Sequence, residues 1–134
     1  MAGRVLHLYT VIRQARSKRQ IYEMMVELWH DHLNITTLGD DTKDGHLDWN
    51  TNDWNKKVIR QFALSRFEDL LQVSALHPAM IVYLDGELST KDVPNENYGR
   101  ELLELHTVAP KAGYTQADVV DASKLFSEIG RAHV

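Results

Sequence analysis

Glu27 and His30 stand three residues apart, so a helix would present a carboxylate and an imidazole on one face. Glu-x-x-His is the spacing with which carboxylate-bridged di-metal bundles hold their ions. A second pair, Glu101 and Glu104, repeats the spacing and suits either ligation or acid/base work. The two pairs brought together would set three carboxylates beside one imidazole. Such a cluster favours a divalent cation or a raised carboxylate pKa, because like charges repel at close range. Held more than ~12 Å apart, they could share no single ion and would be solvated acidic faces.

Other polar residues divide by helical angle. His30 and His32 lie about 200° apart on a regular helix and cannot grip one ion together. His32 falls on the apolar stripe of its helix, where a histidine hydrogen-bonded to its surroundings is expected. Further on, Asn97, Glu101 and Glu104 fall within about 60° on one side. Tyr98, Leu102 and Leu105 line the other side, with Asn95 and His106 beside them to satisfy buried polar groups. Asp40 to Thr51 mimics a calcium loop, with Asp40, Thr42, Asp44, Gly45 and Asp48 in ligand-loop positions. Thr51 stands where the bidentate Glu belongs, which weakens that reading. No G-x-S-x-G, P-loop, G-x-G-x-x-G or H-E-x-x-H pattern occurs, so those enzyme classes have no support.

The elements that must carry these residues read as helices. Ser17 with Gln20 forms a capping-box pattern, followed by Ile21, Met24, Met25, Leu28, Trp29 and His32 at helical spacing. That stripe is expected to be buried, with Glu23, Glu27, His30 and Asp31 facing out. Trp54, Val58 and Phe62 mark a second helix. Ser65 with Glu68 opens a third, which carries Phe67, Leu70, Leu71 and Ser74 and stops at Pro78. Ala79 to Leu84 is a short apolar run read as helix, and Asp85-Gly86 as a turn. Pro94 suits the first turn of a helix reaching about His106, and Thr115 with Asp118 opens the last one. The expected architecture is an all-α, irregular helical domain of about five to six helices, spanning residues 1–134.

Composition narrows the rest. The 134 residues are 43% hydrophobic and carry a net charge of −4, too apolar and too weakly charged for a disordered chain. Cys is absent, which removes disulfides and thiolate metal sites. No apolar run approaches the ~20 residues of a membrane span. Met1 to Gln20 holds Arg4, Arg13, Arg16, Lys18 and Arg19 without an acid, so it could meet phosphate or lie against the acidic remainder. A pI of about 5.9 gives no strong nucleic-acid signal.

Three stretches together resemble one family. They are RQIYEMMVELWHDHLNI (Arg19 to Ile35), VIRQFALSRFEDLLQVSALHPAMIVYLDGELST (Val58 to Thr90) and PNENYGRELLELHTVAPKAGYTQADV (Pro94 to Val119). They are similar to the bacterial domain of unknown function 1800 family. The family pattern has WHNHF where Trp29 to Leu33 stands, Ala at Gly99, and LGVDGGYTQ where Val108 to Gln116 reads VAPKAGYTQ. The resemblance draws attention to Trp29, His32, Asn95, Asn97, Arg100 and His106 without assigning them roles. It implies a piece of a longer helical protein, exported or periplasmic, with a protein partner in the cell envelope and no known activity. Residues 128–134 are expected to be a foreign tail, since IGRAHV matches one reading frame of a common sequencing adapter. A piece of that kind is expected to be poorly stable alone.

Overall fold

The computed structural model describes residues 2–35, 50–90 and 93–129. The proposed calcium loop, Asp40 to Thr51, therefore lies outside the described residues except at its end, as does 130–134 of the tail. The protein is an all-α, irregular helical domain, with seven helices and no strand among the described residues. It falls into two compact units, Met1–Ala79 and Met80–Val134.

Four helices build the first unit. α1 (Ala2–Arg16) was not foreseen, because its apolar and basic residues alternate without a clean stripe. Arg13 and Arg16 in its last turn complement the negative end of the helix dipole. α2 (Gln20–His32) follows after a break at Ser17. The expected capping box is rearranged there. The Gln20 side-chain amide donates to the carbonyls of Ser17 (2.7 Å) and Gln14 (3.0 Å), while Ser17 Oγ accepts from Arg19 N.

The inner face of α2 is not the stripe that apolar spacing marks. Ile21, Met24 and Leu28 are 76%, 65% and 52% exposed, whereas Glu23 and Val26 are buried. Glu23 turns inward because Arg60 binds both its oxygens, Nη1 to Oε2 at 2.9 Å and Nη2 to Oε1 at 2.8 Å. Arg60 also lies over the Tyr22 ring at 5.0 Å, and the Tyr22 hydroxyl donates to its carbonyl. A paired charge can be buried where a lone one cannot. That pair holds Glu23 below the usual carboxylate range.

α3 spans residues 50–62. It opens as α-helix, widens into a π turn over Asn55–Ile59, and closes as Arg60–Phe62. The i→i+5 hydrogen bond runs from Arg60 N to Asn55 O. Each residue of a π turn rotates less than the ~100° of an α-helix. Asn55, Val58 and Ile59 thus share the side of Trp54, and all four are buried. α4 (Phe67–Leu76) begins with Arg66 as its cap residue rather than at Ser65. Glu68 pairs with Arg66 instead of reaching back to Ser65.

α5 (Pro78–Tyr83) takes up the short apolar run as a helix. His77 separates it from α4, with Nδ1 accepting from Ala79 N at 3.2 Å and Nε2 facing Asp53 at 3.4 Å. Proline at the first helical position costs no hydrogen bond, so α5 restarts at once.

In the second unit α6 begins at Glu96, not at Pro94, and runs as α-helix to Glu101 and as a π turn over Leu102–Thr107. α7 (Gln116–Ile129) opens with the expected box. Thr115 N donates to Asp118 Oδ2 at 2.7 Å, and Asp118 N donates to Thr115 Oγ1 at 3.3 Å. α6 and α7 meet at Gly99, where a Cβ would lie 2.3 Å from Ser123 Oγ and 2.6 Å from the Val119 carbonyl. An added methyl there would force the two helices or the Ser123 side chain to shift. Tyr98 packs on Phe126, ring centroids 4.5 Å apart, and burial pushes its hydroxyl pKa far up. Between the helices Ala109 adopts φ 66° and ψ 158°. An alanine at that positive φ carries strain.

Candidate functional site

Glu27 and His30 both line a cleft of about 330 Å³ in the first unit, between α1 and α2. His7, Thr10 and Gln14 of α1, Asp31 of α2 and Thr51 of α3 add to its polar wall, while Val11, Val26 and Ile35 supply apolar surface. The volume lies within the range of small-molecule sites. Glu27 and Asp31 are exposed, four residues apart on one face.

His30 is the chemically distinctive residue of this cleft. Its Nε2 lies 2.8 Å from Asn55 Oδ1, and its ring meets the edge of Trp54 at 5.2 Å and 84°. An amide oxygen only accepts, so Nε2 carries the proton and Nδ1 is the imidazole's acceptor. Burial holds His30 below its ordinary pKa, and the Asn55 hydrogen bond works against that shift without reversing it. The imidazole is therefore neutral and fixed in one tautomer. The π turn of α3 creates this arrangement by carrying Asn55 into the interior. Asn55 escaped the sequence reading because it has no patterned neighbour. His30, in turn, was expected to face solvent.

The other marked residues of the first unit make packing and backbone contacts. Trp29 donates Nε1–H to the Ala63 carbonyl at 3.0 Å and stacks on Phe67 at 5.6 Å. His32 packs edge-on against both Trp29 and Phe67.

In the second unit Asn95 ties the Asp85 turn to α6. Its Nδ2 donates to the Leu84 and Asp85 carbonyls, each at 2.8 Å, while Oδ1 accepts from Asn97 N at 3.0 Å. It caps the helix and satisfies buried carbonyls in the same act. Asn97 is exposed and contributes its backbone to that cap. Arg100 donates to Gln116 Oε1 at 2.9 Å, and Gln116 donates to Glu96 at 2.7 Å, which clamps α6 to the start of α7.

The π turn alters the angles that an α-helix predicts for the end of α6. His106 is 7% exposed, and Leu105, expected inside, is 58% exposed. Under-winding brings residue 106 round to the side of Tyr98 and sends residue 105 outward. It also carries Glu104 farther round from Glu101 than an α-helix would. Glu101 and Glu104 are both half-buried. Among the described residues no three His, Asp or Glu side chains gather as a metal ion requires. No helix among them is long and apolar enough to cross a membrane.

The chain matches the family described as Protein of unknown function (DUF1800) over residues 3–131, and it belongs to that family. No curated protein and no solved structure matches it.

Proposed function

We propose that this chain supplies a ligand-binding core to a larger exported protein, with the α1–α2 cleft as the binding site. Glu27 and His30 act together there. The carboxylate takes hydrogen bonds or charge from the ligand, and the imidazole offers a lone pair at Nδ1. The observation that carries this reading is the 2.8 Å bond from His30 Nε2–H to Asn55, which holds a neutral imidazole in one tautomer in a cleft that Glu27 also lines. Such pre-orientation characterises histidines that bind ligands or move protons. Titration of the purified chain with Zn²⁺, a probe for an imidazole lone pair beside carboxylates, tests this reading. Saturable shifts of the His30 ring resonances, lost in Glu27→Gln, are expected, and their absence overturns it.

A second reading, a non-catalytic interaction module of the cell envelope, draws on the exposure of Ile21, Met24 and Leu28 on one face of α2. Exposed apolar patches of this kind mark protein contacts. Crosslinking of the full-length protein in envelope fractions distinguishes the two. A partner lost in Met24→Glu and retained in Glu27→Gln favours the module.

A further inference from the structure

A second cleft in the first unit has the opposite electrostatic character. It lies between α1 and α3, has a volume of about 350 Å³, and is lined by Tyr9, Arg13, Asn52, Asn55 and Lys56. Among the described residues two cations, two amides and a phenol face it, and no carboxylate does. Two other cations of α3 are neutralised locally. Arg60 is bound to Glu23, and Lys57 to Asp53 at 2.9 Å. Arg13 and Lys56 hold no salt bridge among the described residues. Arg13 does lower the Glu23 pKa at longer range, but both Glu23 oxygens are bound by Arg60. The Arg13 guanidinium lies 6.0 Å from the Tyr9 ring centroid, which orients it over an aromatic face.

We propose that the α1–α3 cleft binds the phosphoryl group of a small phosphorylated molecule through Arg13 and Lys56. Arg13 matches two phosphate oxygens with its planar fork, and Lys56 adds a point charge. The amides of Asn52 and Asn55 supply neutral donors. Asn55 already uses its Oδ1 to accept from His30, so its Nδ2 hydrogens are the part left for this cleft. The volume exceeds that of phosphate alone and leaves room for an organic remainder beside Tyr9. Asn55 lines this cleft and also holds His30 of the other, so the Arg13 and Lys56 variants are the ones that test this site alone.

The test is titration of the 134-residue chain with inorganic phosphate and with glycerol phosphate, followed by the side-chain amide resonances of Asn52 and Asn55. Saturable shifts of both amides are expected at moderate salt. Arg13→Gln and Lys56→Gln should each weaken binding about tenfold, the loss of one charge-assisted hydrogen bond. Lys18→Gln, in the same basic segment and outside the cleft, should leave it unchanged. Arg13, Lys56 and Lys18 are exposed, so these variants should fold, and circular dichroism checks that they do. Non-saturable shifts, or an equal loss in Lys18→Gln, would overturn the proposal in favour of diffuse basic-surface attraction. Co-sedimentation with phosphatidylglycerol vesicles in the absence of inorganic phosphate binding would overturn it in favour of a lipid surface.

Discussion

Among the described residues each unit contains one π turn, and the two turns are put to different use. In the first unit the turn at Asn55–Ile59 draws a polar side chain inward, where it fixes the tautomer of a cleft-lining histidine. In the second, the turn at Leu102–Thr107 buries His106 and leaves Leu105 outside, while α6 is locked to α7 through Gly99 and the Arg100–Gln116–Glu96 clamp. The same backbone device thus builds a candidate site in one place and a packing surface in the other. What separates them is the neighbourhood: a cleft beside the first and close helix contact around the second. π turns recur at functional sites, but the local surroundings decide whether one is such a site.

The largest effect should come from the ion pair beneath the first turn. Glu23→Ala would leave Arg60 half-buried without its partner and should cost about 3–5 kcal/mol, read by chemical denaturation. Unchanged stability would show that the pair does not anchor α2 to α3. Gly99→Ala should come next, at about 1–3 kcal/mol, because the new methyl meets the Val119 carbonyl as well as the movable Ser123 hydroxyl. If the two turns differ as described, this variant loosens the second unit and leaves the His30 resonances of the first in place.

A pH series separates the units in another way. His30 and His77 both have pKa values lowered by burial, so each stabilises the fold in its neutral form. That contribution is complete above the ordinary imidazole value near 6.5 and is lost as pH falls toward the folded values. Glu23, also lowered, adds a second loss below about 4.5. All three groups lie in the first unit, so its amides should lose hydrogen-exchange protection first on acidification. Simultaneous loss in both units would contradict this. The smallest effect runs the other way. Ala109→Gly should stabilise the chain by about 1 kcal/mol, by relieving a positive-φ alanine, with the gain read as a higher midpoint of denaturation.

Much of the helical framework was legible from residue spacing. Trp54, Val58 and Phe62 marked α3, and Thr115 with Asp118 marked the start of α7, because those signals are local and chemical. The inner face of α2 was not legible. Apolar spacing pointed to Ile21, Met24 and Leu28, while the buried position belongs to Glu23 through an arginine 37 residues away. A charge is read as surface unless its partner is known, and that partner lies on another helix. The π turns defeated the angular argument for the same reason that it worked elsewhere: it assumes ~100° per residue. Of the candidate site, the Glu27–His30 pair was visible as a spacing. Its orienting group, Asn55, became visible only once the widened turn had brought it inward.

The neutral, tautomer-fixed His30 is the central claim, and long-range ¹⁵N–¹H correlation spectra of the chain's histidines between pH 5 and 8 test it directly. The account predicts that His30 is protonated at Nε2 alone near neutral pH, titrates below the ordinary imidazole range, and becomes a tautomer mixture in Asn55→Leu. A His30 that is doubly protonated at pH 6.5, or that carries its proton on Nδ1, would contradict it.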